Sequence, residues 1–327
     1  MSDDAMDVIV VGAGPAGAAA ALVLARAGLQ VVLIERGSAA GVKNMTGGRL
    51  YTHALKTLCP ENHQEAPLER RVTRELISMM SGSSTVTMEM ASPEFADNSY
   101  TVLRTRLDAW LAAQAEAAGA MLATGVKVDE LLIKDGKVVG VRCGEDEMPA
   151  HAVIVAEGAN CLLPRQASLK VGELDPHHVA TGVKATFELP ANVIEERFHV
   201  APGEGAAQLF VGEVTQGLAG GGFLYTNRDT ISLGIVLTVA GMLEKKVEPA
   251  ALMAAFEAHP AVAPLIAGGR MVEYSAHLVP EGGVAMMPEV VGDGILVAGD
   301  AAGFVLNLGY AVRGMDFAMA SGMHAAE

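Results

Sequence analysis

Val8-Ile9-Val10-Val11-Gly12-Ala13-Gly14-Pro15-Ala16-Gly17, followed by the alanine-rich run Ala18 to Ala27, Gly28, and then Gln30-Val31-Val32-Leu33-Ile34-Glu35, decides the fold of this chain. The first four residues are β-branched, too few for a helix and too apolar for an edge, so they read as a buried parallel strand. Ala18 to Ala27 are nearly all strong helix formers, and Gly28 stands where a helix would stop. A second buried strand then ends in an acid. In this G-x-G-x-x-G, the first glycine permits a tight turn, the second lets a pyrophosphate approach the backbone, and the third packs helix on strand. The phosphates would rest on free N–H groups at the helix start, within the positive end of its dipole. Glu35 follows Gly12 by 23 residues, as a carboxylate accepting from both hydroxyls of an adenosine ribose requires. The stretch therefore predicts dinucleotide binding and leaves NAD and FAD open.

The rest of the composition agrees with a large α/β protein. The 327 residues carry 23 Lys plus Arg against 38 Asp plus Glu, a formal charge of −15. That balance excludes nucleic acid as a partner, because phosphate neutralisation needs a basic face. Half of the residues are hydrophobic and the mean hydropathy is +0.33, which calls for a large core or an apolar contact surface. Cys59, Cys143 and Cys161 form no C-x-x-C pair, so neither a disulfide framework nor a cysteine-bound iron–sulfur cluster is expected, and a reducing cytoplasm is. Val8 to Ala25 is uncharged for 18 residues, yet Asp3, Asp4 and Asp7 precede it and Gly12, Gly14, Pro15 and Gly17 interrupt it. It is neither a signal peptide nor a membrane span.

Two further strand-plus-turn segments favour FAD. Gly294-Ile295-Leu296-Val297-Ala298-Gly299-Asp300-Ala301-Ala302-Gly303 places an aspartate just past a strand end, where it can accept from a ribityl hydroxyl. The simpler alternative is an aspartate that merely caps a helix. Ala152-Val153-Ile154-Val155-Ala156-Glu157-Gly158-Ala159-Asn160-Cys161 is the other, and Tyr100 to Asp108, containing Arg104, leads into a helix over Ala109 to Ala118.

Taken in order, these motifs resemble the glutathione-reductase-type FAD fold of the aromatic hydroxylase and geranylgeranyl reductase superfamily. Four longer blocks narrow the resemblance: Lys43 to Tyr51, Gly220 to Asn227, Glu273 to His277, and Asn307 to Asp316. They are similar to the FixC-like branch of the electron transfer flavoprotein:quinone oxidoreductases, and the likeness covers essentially the whole chain. The resemblance implies FAD bound at Gly12, Gly14, Gly17, Glu35, Arg104, Gly299 and Asp300, with Ala13, Pro15, Ala16, Arg36, Val128, Glu157 and Gly158 beside them. It implies flavin-ring contacts from Thr46-Gly47-Gly48 and from Gly309 to Gly314, with Arg313 as a cation tuning the flavin. The middle turn departs from the family pattern, with Glu157-Gly158 and Cys161 where Asp-Gly and Ser are usual.

The implied architecture is an FAD-binding Rossmann-like α/β domain with a second mixed β-sheet domain over the flavin. Residues 1–60, 100–165 and 286–327 are assigned to the first, and 61–99 and 166–285 to the second. The chain ends in what reads as a helix where the family continues, so a C-terminal helical segment is expected to be missing. The flavin carries the redox chemistry, and no separate acid, base or nucleophile is required. The family implies electrons taken from an electron transfer flavoprotein and passed to quinone or to a ferredoxin-like iron–sulfur protein, with peripheral contact at the cytoplasmic membrane face. Met286, Met287 and Met315 are candidates to line a quinone channel. A monooxygenase or geranylgeranyl-reductase-like enzyme, and an inactive truncated FAD-binding scaffold, remain as alternatives.

Overall fold

A computed structural model describes residues 5–43, 47–92, 95, 98–167, 169, 175–308 and 312–327. The opening strand, Met6–Val11, lies at the centre of an eight-stranded sheet. Val31–Glu35 pairs parallel on one side of it and Asp146–Val155 on the other. Met121–Thr124 and Ile295–Val297 extend the sheet outward in the same direction. The apolar strands are explained by burial on both faces. Val8, Val10, Val31, Leu33 and Ile154 meet the helices Pro15–Arg26, Arg104–Ala117 and Met315–Ala326. Ile9, Val11, Val32, Ile34, Val153 and Val155 instead meet Leu131, Val138 and Val141, which belong to an antiparallel meander, Glu130–Lys134 and Lys137–Cys143, leading into the Asp146 strand.

The first helix starts at Pro15, whose missing N–H costs nothing there, and Gly28 takes φ +82° just beyond its end. The helix expected over Ala109 to Ala118 begins five residues earlier, at Arg104. The cause is an i,i+4 pair: both Arg104 Nε and Nη2 donate to the Asp108 carboxylate at 2.7 Å, which holds the first turn helical.

The second sheet has nine strands. Its path runs Arg270–Pro280, Val179–Glu188, Thr230–Thr238, Gly220–Thr226, Glu204–Gly212, Leu68–Ser81, Ser99–Val102 and Gly48–Tyr51, with Ser84–Ala91 hairpinned onto Leu68–Ser81. One face packs its own core, including Ile231, Leu233 and Ile235, against helices Ala191–Phe198 and Pro249–Ala258. The other face looks toward the glycine turn. Gly48–Tyr51 and Ser99–Val102 pair with each other in this second sheet, whereas residues 1–60 were assigned as a block to the first domain. A strand leaving the cofactor loop finds its hydrogen-bonding edge there.

Candidate functional site

The turn after the first strand is shaped by what cannot fit. Gly12 has φ +101° and any Cβ on it would overlap the Ala156 carbonyl; a Cβ on Gly17 would overlap the Gly12 carbonyl. These two glycines let three strands and a helix meet at one point, as the motif demands. Glu35 is buried, with Oε2 accepting from Ala13 N–H at 3.0 Å and Oε1 from Gly37 N–H at 2.6 Å. A carboxylate has about four acceptor sites, so it can brace the turn and still accept from a ribose.

A cavity of about 400 Å³ opens at this turn. Gly12, Gly14, Pro15 and Ala16 line it from the turn, and Glu35, Arg36 and Val128 line its outer end. Arg104, Glu157 and Gly158 line one side, while Gly299, Asp300, Gly47, Gly48 and Gly314 line the inner end. Ala13 and Gly17 lie behind the wall, in the turn itself. Thr46 and Gly309 fall outside the described residues.

Asp300 does not cap its helical turn. The cap position of Gly299–Ala302 is Ala298, with no side-chain bond, so the carboxylate is left to the cavity. Burial raises the pKa of Asp300, although Arg104 and His277 pull it the other way. The atypical middle turn is satisfied by its own atoms. Glu157 Oε1 accepts from Leu163 N–H at 2.8 Å, and the Cys161 thiol donates to the Ala301 carbonyl at 3.0 Å, tying the middle turn to the late one. Burial and the Glu157 carboxylate push that thiol up to about 11, so it remains protonated and unreactive.

Arg313 sits apart from the cavity lining. Its guanidinium lies over the Tyr51 ring at 4.0 Å and pairs with the buried Asp316. These contacts hold it to the last helix, next to Gly314 and Met315, which do line the cavity. Of the three methionines, Met315 lines the cavity and Met286 and Met287 do not.

The opposite wall comes from the second sheet: Leu209, Phe223, Tyr225, Val236, His277 and Val279. These are apolar apart from His277 and Tyr225, and Arg49 and Glu281 add charged groups to the same lining. Burial lowers the pKa of His277 despite the nearby Asp300 carboxylate, and desolvation pushes Tyr225 up to about 12. Beside Tyr225, Arg49 grips Glu75 with both terminal nitrogens and donates to Ser99 Oγ at 2.9 Å. Arg49, Phe223, Tyr225 and His277 lie in the blocks that carry the resemblance but were given no role of their own; Leu209, Val236 and Val279 were not singled out, and neither was Lys184, which is fully buried next to Gly47. Strand alternation was the available signal, since Gly182, Lys184 and Thr186 all fall on the face turned from the apolar core.

A glycine cradle that a Cβ would fill, an acid at the ribose end and an aspartate at the far end suit an extended dinucleotide. The FAD dependent oxidoreductase family is matched over residues 7–165 and, by a second description of the same name, over 95–327. Protein FixC of Escherichia coli strain K12 is 51% identical over 330 aligned residues, which cover 100% of this chain and 77% of that protein. The chain belongs to the FixC-like branch of the FAD-dependent oxidoreductases. This oxidoreductase is also 52% identical to the probable electron transfer flavoprotein-quinone oxidoreductase YdiS of the same strain, covering 100% of this chain and 76% of YdiS. A geranylgeranyl bacteriochlorophyll reductase-like protein from Thermoplasma acidophilum superimposes with a TM-score of 0.80 at 22% identity, covering 99% and 77% of the two chains. A myxobacterial chondrochloren halogenase gives 0.72 at 19%, covering 99% and 73%. At those identities the solved structures establish the shared fold. The cofactor of the family is FAD, and the cavity residues of this oxidoreductase fit it.

Proposed function

We propose that this FAD-dependent oxidoreductase takes electrons from an electron transfer flavoprotein and delivers them to quinone. The observation that carries the reading is the 52% identity, sustained along the whole chain, to a probable electron transfer flavoprotein-quinone oxidoreductase. The apolar wall of Leu209, Phe223, Val236 and Val279 supports it, because a flat, weakly polar acceptor needs such a surface facing the cofactor. FAD supplies the two-electron redox chemistry when bound.

The chain's own residues bind and exclude. Gly14 and the N-terminus of the Pro15–Arg26 helix present N–H groups to the pyrophosphate, while Gly12, whose own N–H donates to the Ile34 carbonyl, shapes the turn. Glu35 and Asp300 accept from the two sugar-like ends, and Glu157 and Cys161 hold the turns in place. These assignments, and the discontinuous cofactor domain that joins 1–60, 100–165 and 286–327, are part of the same proposal. Among the described residues no helix is long and apolar enough to cross a membrane, and no three Cys, His, Asp or Glu side chains are grouped to hold a metal. The same proposal has a ferredoxin-like iron–sulfur protein as a partner and quinone met at the cytoplasmic membrane face.

The test is an anaerobic turnover assay with the FAD-loaded, full-length protein, reduced electron transfer flavoprotein and a short-chain quinone. Quinone reduction that needs both proteins is the expected result. If NADPH alone drives oxygen uptake with a phenol, and quinone is untouched, the chain is a hydroxylase.

A further inference from the structure

Lys184 stands in the strand Val179–Glu188, where it pairs with Gly234 on one side and Ser275 on the other. Its side chain is fully buried, and its Nζ has no hydrogen-bond partner among the described residues. The nearest carboxylate oxygen, Glu273 Oε1, is 4.0 Å away. An ammonium in such a place is costly, since taking a charge out of water costs several kcal/mol that only close pairing repays. Something must compensate for it when the protein works.

The location identifies what does. A Cβ built on Gly47 would come within 3.3 Å of Lys184 Nζ, and Gly47 itself lines the cofactor cavity. The ammonium is thus one residue's thickness behind the inner wall. Near it, Thr186 Oγ1 on the same strand and Asn227 Oδ1 just past the strand Gly220–Thr226 are also buried and lack partners among the described residues. Ser232 connects them: it pairs with Thr186 across the strands, accepts from Asn227 Nδ2 at 3.0 Å and would collide with any side chain at Gly47. The floor beneath Gly47 is therefore polar and holds a buried ammonium.

We propose that Lys184 is a positioning residue for the flavin end of the cavity: its buried ammonium, behind Gly47, provides the fixed positive charge that favours the reduced cofactor over the oxidised one. Taking up two electrons with a single proton adds one negative charge, and that is the charge Lys184 offsets; Lys184 keeps its own proton throughout. In a low-dielectric interior such a charge acts across the intervening residue. Glu273, half-buried on the neighbouring strand, moderates it from the opposite side, and Arg104 adds positive charge from the glycine turn. Burial depresses the Lys184 ammonium to about 8, as a charge without an adequate partner requires. The inference needs FAD in the cavity but no particular electron donor or acceptor.

The test measures the two-electron midpoint potential of FAD in the loaded protein by equilibration with redox dyes, alongside the dissociation constant of oxidised FAD. Lys184→Met should bind oxidised FAD within about threefold of the parent and lose at least tenfold in the ratio of reduced to oxidised affinity. For a two-electron couple a tenfold change is about 30 mV, here toward more negative potential. Lys184→Arg should restore the parent potential, because it keeps the charge. Glu273→Gln, which removes the opposing charge and leaves the lysine in place, should move the potential the other way and gives a reading even if the methionine variant does not fold. An unchanged potential in either Lys184→Met or Glu273→Gln, or a Lys184→Arg that behaves like Lys184→Met, overturns the inference. A parent protein that binds no FAD would instead contradict the cofactor assignment and leave no potential to compare.

Discussion

At the scale of single residues, the cofactor turn is governed by a few atoms whose replacement has calculable effects. Glu35 accepts two backbone N–H bonds, and hydrogen bonds to a charged group contribute about 1.5–3 kcal/mol each. Glu35→Gln should therefore weaken FAD binding by roughly 10- to 100-fold, measured by quenching of FAD fluorescence. Gly17→Val should abolish yellow colour altogether, since its side chain would occupy the space of the Gly12 carbonyl. Lys184 adds a pH prediction for the protein without cofactor. Its folded value, about 8, lies below the ordinary lysine value of 10.5, so between those pH values the unfolded chain holds the proton and the folded chain does not. Stability then rises with pH across that window, by about 3 kcal/mol relative to Lys184→Met; the penalty is fully present below pH 8. Paired denaturant titrations of the two proteins at pH 7 and pH 10 would show the difference narrowing. The glycines and Glu35 were legible because their chemistry is local, fixed by spacing along the chain. Lys184 was not, because a lysine on the polar face of a strand reads as solvated, and the groups near its ammonium, Gly47 and Glu273 among them, are distant in sequence.

At the scale of elements, buried polar contacts decide more than propensity does. Arg70, in the charged run Glu69-Arg70-Arg71, would be read as surface, yet it is 2% exposed. Its guanidinium bonds Glu195 and the carbonyls of Asn227, Glu204, Ala191 and Arg228, fastening the Leu68–Ser81 strand to the Ala191–Phe198 helix and the 227–228 turn. Arg70→Met leaves those acceptors and Glu195 unpaired, and should cost about 3–5 kcal/mol, seen as a lower denaturant midpoint. The last helix is set by a different device. A Cβ on Gly322 would overlap the Ala16 backbone, so the two helices cross at backbone contact behind the phosphate turn. Gly322→Leu should separate them, cost about 1–3 kcal/mol and weaken FAD binding as well, because Ala16 lines the cavity. The Arg104 helix starts earlier because its first turn is stabilised by an ion pair, which periodicity does not register.

At the scale of the molecule, two sheets enclose one cavity, and each supplies what the other lacks. The parallel sheet brings three turns together at strand ends, where an open α/β sheet binds its ligand. The second sheet turns an apolar face with a few buried charges toward the same space. The turns were readable as motifs, whereas the facing wall is assembled from strands scattered between Gly48 and Pro280: the blocks Lys43 to Tyr51, Gly220 to Asn227 and Glu273 to His277 supply parts of it, and their convergence is not visible from any one of them. Arg313 lies in its block beside the cavity residues Gly314 and Met315, with its guanidinium held by Tyr51 and Asp316, and its role in tuning the flavin is a proposal. The account as a whole rests on electrons entering the bound FAD from an electron transfer flavoprotein. Anaerobic titration of the FAD-loaded, full-length protein with reduced electron transfer flavoprotein, followed by visible absorbance, tests that directly. Stoichiometric bleaching of the bound flavin, reversed on adding quinone, is the predicted result; a flavin that dithionite bleaches and reduced electron transfer flavoprotein leaves oxidised would contradict it.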